Sequence, residues 1–137
     1  MRFFLLLIII FCNSCITNNV NSSDKCKVEY DKIYGQFVYT FVDQLPKYPG
    51  GFEAVIIFFK KNLKYPDQEY FQASIILEFI INENGEIVAP RIKDKTFKQL
   101  TKAEIEAIRV LKLMPSWEPG KCASKNVSVK MFLPLRF

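Results

Sequence analysis

Histidine is absent from the 137 residues. The chain therefore lacks the usual general base near neutral pH and the commonest zinc ligand. Serine and cysteine are present, but without imidazole they have no ordinary activating base. The acids do not converge either. Glu104 fits a helix cap, Glu106 a helical pair with Lys102, and Glu83 and Glu86 flank a turn. The expectation is a protein that is not an enzyme, with no metal, cofactor or small-molecule substrate. A basic stripe is also missing. Lys and Arg number 19 against 14 acids, a net +5, but they are scattered along the chain, so nucleic acid is not an expected partner.

Long apolar runs are equally scarce. Phe3 to Phe11 is unbroken, yet a membrane span needs about 20 residues and this is half of that. Arg2 precedes the run and small polar residues follow it, which is the layout of an export signal. The run ends in Cys12-Asn13-Ser14-Cys15. This resembles a bacterial lipoprotein signal, with Ser14 as the small residue before a lipidated Cys15; Phe11 before Cys12 is too bulky. Cleavage without lipid and an uncleaved anchor are the other two fates of this segment. The expected location is the cell envelope, facing the periplasm, with a lipid anchor on the membrane.

What is present is core material: half the residues are hydrophobic and 15% are aromatic. Three divisions follow: residues 1–15 as signal, 16–35 as tether and leading segment, and 36–137 as a folded domain. Once Cys12 leaves and Cys15 takes lipid, Cys26 and Cys122 remain in an oxidising compartment. Paired, they would close a long loop worth about 4–5 kcal/mol on the chain-entropy model; unpaired, they are two thiols that never meet.

Periodicity assigns the elements. Phe37–Val42 reads as a strand, with a shorter one before Gly35. Phe52, Val55, Ile56, Phe59 and Leu63 make one helical face, which Ile57 and Phe58 widen into a well-buried helix. Ala73 to Asp94 alternates around Asn84-Gly85, a hairpin signal. A two-residue turn sets Glu78 opposite Arg91 and Ile81 opposite Val88; a three-residue loop with a Gly bulge shifts the register by one. Pro90 lacks an N–H and marks a bulge or an edge. Thr101 and Glu104 form a capping box opening a helix from Leu100 to Met114, which Pro115 stops. Lys125 to Phe137 alternates strictly as a last strand.

The order strand, helix, hairpin, helix, strand predicts an α+β fold, a small antiparallel sheet packed against two helices. Five landmarks in that order carry a resemblance: Tyr48-Pro49-Gly50-Gly51, Leu63-Lys64-Tyr65-Pro66, Asn84-Gly85, Met114-Pro115-Ser116-Trp117-Glu118-Pro119-Gly120 and Leu133-Pro134-Leu135-Arg136-Phe137. From about Phe37 to Phe137 the chain resembles the C-terminal domain of the TonB energy transducers, in the form common in the Bacteroidetes. The resemblance implies a periplasmic domain for transmembrane transport that binds an extended segment of a TonB-dependent outer-membrane receptor by strand addition. The candidate edge is Asn126, Val127, Ser128, Val129, Lys130, Met131, Phe132 and Leu133. Lys125, Lys130 and Arg136 either assist an acidic partner or keep the edge soluble.

Pro115, Trp117, Pro119 and Gly120 are expected to form a structural corner rather than a site. The family's transmembrane helix and proline-rich linker have no counterpart among these residues, and Ala73-Ser74 and Ser124 stand where the family pattern suggests glycines. Fold and binding mode are therefore implied more than energy transduction. An envelope assembly role that reuses the fold, and a homodimer through the exposed strand, are the alternatives.

Overall fold

The computed structural model describes residues 25–64 and 74–136. The signal with Cys15, the tether up to Asp24, Tyr65-Pro66, Ala73 and Phe137 lie outside the described residues. The elements are β1 (Lys27–Asp31), β2 (Gln36–Phe41), α1 (Gly51–Asn62), β3 (Ser74–Ile81), β4 (Ile87–Ile92), α2 (Lys102–Lys112), β5 (Gly120–Cys122), β6 (Lys125–Val127) and β7 (Val129–Arg136). The fold is mixed α+β, with a five-stranded sheet in the order β1-β2-β7-β3-β4, a small β5–β6 ribbon and two helices. Among the described residues no helix is long and apolar enough to cross a membrane.

Beyond the expected order of four strands stand β1, the shorter strand read before Gly35, and the unforeseen β5 and β6. β1 pairs with β2 as a hairpin, so the boundary set at residue 36 cuts through paired structure. The last strand is broken at Ser128 into β6 and β7, because β6 turns aside to pair with β5. The sheet is not wholly antiparallel: β2 meets β7 in parallel, through one register pair, Tyr39 opposite Val129.

The β3–β4 hairpin uses both expected registers. Leu77 faces Ile92 and Glu78 faces Arg91, as a two-residue turn requires. Nearer the tip, Ile80 faces Val88 and Ile81 faces Ile87, the register of a three-residue loop. A bulge with Ala89 at φ 49° absorbs the difference. Pro90 is tolerated because β4 lies at the sheet edge beside this bulge.

One sheet face carries Leu77, Phe79 and Ile81 of β3 and Leu133 and Leu135 of β7, and the helices cover it. Helix α2 opens with the capping box, Thr101 Oγ1 accepting from Glu104 N–H and Glu104 accepting from Thr101 N–H at 2.8 Å. It buries Ala103, Ala107, Val110 and Leu111. Helix α1 buries only Val55 and Phe59, and Ile57 is 65% exposed. The widened burial expected for α1 holds for Phe58, which is half-buried against the core and edge-on to Tyr48, and is corrected for Ile57, which with Phe52 faces solvent.

The opposite face closes differently. β1 and β4 end the strand order, about 19 Å apart in a flat sheet at the usual spacing. Arg91 of β4 nevertheless bonds Asp31 of β1 at 2.5 Å. The sheet therefore curls, and this face is its concave side. Val38 and Ile80 are fully buried there without a helix over them.

Candidate functional site

After β2 the chain leaves β7. Gln44 and Lys121 exchange backbone hydrogen bonds at 3.1 and 2.9 Å, and Lys47 and Glu118 do so at 3.0 and 2.8 Å. This divergence opens a wedge beside β7, a groove of about 590 Å³. Its walls are Pro46–Phe52 on one side and Met131–Leu133 on the other, with Val55, Phe79 and Trp117 below.

The outer edge of β7 follows from strand alternation. Ser128 C=O accepts from Tyr39 N–H at 2.8 Å, so its backbone groups point towards β2. Residues two and four further on, Lys130 and Phe132, point the same way. No described strand pairs with β7 on that side beyond Val129. Pro134 then ends the row of outward donors, since it has no N–H. The free backbone edge is short and centred on Phe132, which is 49% exposed.

The candidate edge therefore divides. Asn126 and Val127 are consumed by β5, Ser128 and Val129 lie against β2, Lys130 is taken up on the concave face, and of the eight only Met131, Phe132 and Leu133 line the groove. The broader edge is corrected on those first five residues. Nor are Lys125, Lys130 and Arg136 one cluster: Lys130 is engaged on the concave face by Glu29 and by Asp31 at 2.9 Å.

The groove floor is the corner. Trp117 is buried, edge-on to Tyr48 at 5.3 Å and to Phe79 at 5.8 Å between ring centroids. Its N–H donates to Gly85 C=O at 2.8 Å, docking the β3–β4 tip on the corner. Gly85 has φ 81°, and a Cβ there would lie 1.9 Å from Trp117 O, so both conformation and approach demand glycine. The indole Nε1–H is buried with no partner among the described residues. Pro115 is exposed, Pro119 is half-buried, and Gly120 is buried where an added Cβ would meet Val129 at 2.6 Å.

Cys26 and Cys122 are bonded to each other, with Cα atoms 6.3 Å apart. Asp43 lies beside them and accepts from Ala123 N–H at 2.8 Å. Between β5 and β6, Ala123 and Ser124 both take positive φ, 48° and 65°. That is a two-residue hairpin turn built without glycine or asparagine.

The concave face holds a second cluster. Arg91 bonds Asp31 and Glu78, each at 2.5 Å, and Lys130 bridges Asp31 and Glu29. Burial alone would raise the Asp31 carboxyl, but the Tyr34 N–H, Lys130 and Arg91 hold it well below the usual range. Burial opposes the charge on Lys130 as well, and Glu29 and Asp31 overcome it, raising its value. Every charge faces an opposite one, so this cluster braces the curl. Glu78 opposite Arg91 was legible from the hairpin pattern; Asp31 and Lys130 were not, because strand curl carries no local signal.

No protein-family model, curated protein or solved structure matches this chain.

Proposed function

We propose that the chain is an exported binding module of the TonB C-terminal type that receives an extended segment of an envelope protein as an added strand on β7. The observation that carries this reading is an unpaired stretch of β7 facing an apolar groove, where the neighbouring strand has peeled away. Phe132 supplies an outward N–H and C=O, which is what a docking backbone needs. Tyr48, Phe52, Met131 and Trp117 offer apolar surface for the alternate side chains of the guest. A TonB-dependent outer-membrane receptor is the partner the resemblance points to. An N-terminal lipid anchor at Cys15 would keep the module in the envelope.

Phe132→Pro tests the backbone directly. Proline there removes only an outward donor, as Pro134 already does two residues on. Phe132→Ala keeps the donor and removes the ring. Envelope proteins captured by the full chain are compared across the two variants at equal thermal stability. The reading expects Phe132→Pro to lose receptor capture by tenfold or more, about 1.4 kcal/mol, and Phe132→Ala to retain most of it. Equal capture by both variants, or capture of a fixed partner unrelated to transport, sinks it in favour of an assembly role.

A further inference from the structure

β1 and β4 end the sheet order, and each leaves one backbone edge without a strand among the described residues. The two edges are finished differently. β4 carries Pro90, which lacks an N–H, and a bulge with Ala89 at φ 49°. Both features obstruct a further strand. β1 reads Lys-Val-Glu-Tyr-Asp and has no proline. The register shift near its start lies in β2, where Phe41 and Tyr39 face Lys27 and Val28 and Thr40 is the extra residue. β1 itself keeps its alternation.

Which backbone groups β1 turns outwards follows from β2. Tyr39 N–H donates to Ser128 C=O at 2.8 Å, so the backbone groups of Tyr39 point towards β7 and away from β1. Its register partner Val28 is therefore in a non-hydrogen-bonded pair, and Val28 N–H and C=O point out of the sheet edge. Tyr30, two residues on, does the same. Lys27 C=O faces inward and accepts from Thr40 Oγ1 at 3.4 Å, as this parity requires.

The side chains of this edge are self-complementary. Lys27, Glu29 and Asp31 share the concave side, and Val28 and Tyr30 the convex one. Lys27 is exposed and has no acidic partner among the described residues. Lys130 takes Oε1 of Glu29, whose side chain remains 48% exposed with Oε2 unengaged among the described residues. Consider a second β1 set antiparallel to the first, Val28 opposite Val28. Each Lys27 then faces the other copy's Glu29, and the half-exposed Val28 and Tyr30 of both copies meet on the convex side. Centring the pair on Glu29 sets Glu29 against Glu29, and centring it on Tyr30 sets Glu29 against Asp31. Opposite charges across a pair stabilise and like charges destabilise, so the Val28 register is selected.

We propose that β1 is a self-association edge: two copies join β1 to β1 about a two-fold axis at Val28, making one sheet continuous across both. The contact is isologous and closes at two copies, because each β1 has a single free side. One short strand per copy makes a small interface, at the weak end of specific contacts. The proposal is independent of the groove. It leaves Phe132 free in both copies, so the pair presents two open β7 edges.

The test follows the full chain by sedimentation from about 1 µM to about 1 mM, in a nonionic detergent that covers the apolar run of residues 3–11. Lys27→Glu and Glu29→Lys each set like charges across the axis, and each is expected to weaken association at least about tenfold. Mixed in equal amounts, the two variants face opposite charges again, and their mutual association should return to within about threefold of the unsubstituted chain. A variant that had merely lost its fold would not be rescued this way. Val28→Pro removes an outward donor from each copy and should abolish association, while Phe132→Pro should leave it unchanged. A chain that stays monomeric throughout the range overturns the proposal, as does a mixture that stays monomeric. Association that survives Val28→Pro but is lost in Phe132→Pro also overturns it, by assigning the contact to β7. Capture of envelope proteins by the groove is read separately, so failure here leaves the functional reading standing.

Discussion

The two faces of the sheet are closed by different physics. The convex side over β3, β4 and β7 is closed by α1 and α2, with Leu77, Phe79, Val110 and Leu111 meeting in apolar contact. The concave side is closed by the sheet itself and tied by ions, Asp31 and Glu78 on Arg91, Glu29 and Asp31 on Lys130. Apolar packing is forgiving of direction and stabilises in proportion to area. A buried ion cluster returns little net energy over an apolar replacement, but it penalises any arrangement that leaves a charge alone. The comparison teaches a division of labour: the helical side supplies stability, and the ionic side specifies how far the sheet curls.

Breaking the covalent tie should have the largest effect. The disulfide spans a sequence separation of 96, so Cys26→Ser with Cys122→Ser is expected to cost about 4–5 kcal/mol in denaturant unfolding. The loss should fall on the ionic side, with hydrogen exchange rising first in β1 and β2. Next, Trp117→Ala should cost about 3–5 kcal/mol, since the ring is buried among Tyr48 and Phe79. Asp31→Ala should cost about 3 kcal/mol by stranding Arg91 and Lys130, whereas replacing Asp31, Glu78, Arg91 and Lys130 together with apolar residues of similar size should recover most of it. A quadruple variant as unstable as the single one would show that the ions do more than specify geometry.

Acid offers a gentler probe. The folded Asp31 carboxyl ionises well below the ordinary value near 3.8. Its contribution is thus complete above about pH 4 and fades as pH falls below that. Melting temperature should be level from neutrality down to about pH 4 and then drop, with a shallower drop in Asp31→Asn. The smallest expected change is favourable: Ser124→Gly relieves a φ of 65° and should raise stability by about 1 kcal/mol in a thermal melt.

Periodicity in the chain made both helices, the β3–β4 hairpin and the alternation of β7 legible. It was silent on β5–β6, because Ala123-Ser124 is not a turn signature and the left-handed backbone there is imposed by its surroundings. Val127, Val129, Met131 and Leu133 alternate without interruption, so nothing local marked the break at Ser128. The partners that consume that end of the edge, Lys121 to Gly120 and Tyr39, are distant or off-pattern in sequence. The groove was invisible for the same reason: it exists where two segments part, and parting leaves no mark on either. The two registers of β3–β4 were each foreseen, but their coexistence needed the bulge at Ala89.

The disulfide also reroutes mechanical load. Without it, tension entering ahead of Cys26 would run through β1 and β2 and around the whole fold before reaching β7. It would act on the sheet's weakest seam, the single parallel pair between Tyr39 and Val129. With it, the pull crosses two sulfur atoms to Cys122 and reaches Val129 seven residues later. The shortest covalent path from Cys26 to the open edge thus bypasses both helices and the core, and under the proposed strand addition a guest on β7 is pulled while the rest of the domain stays slack.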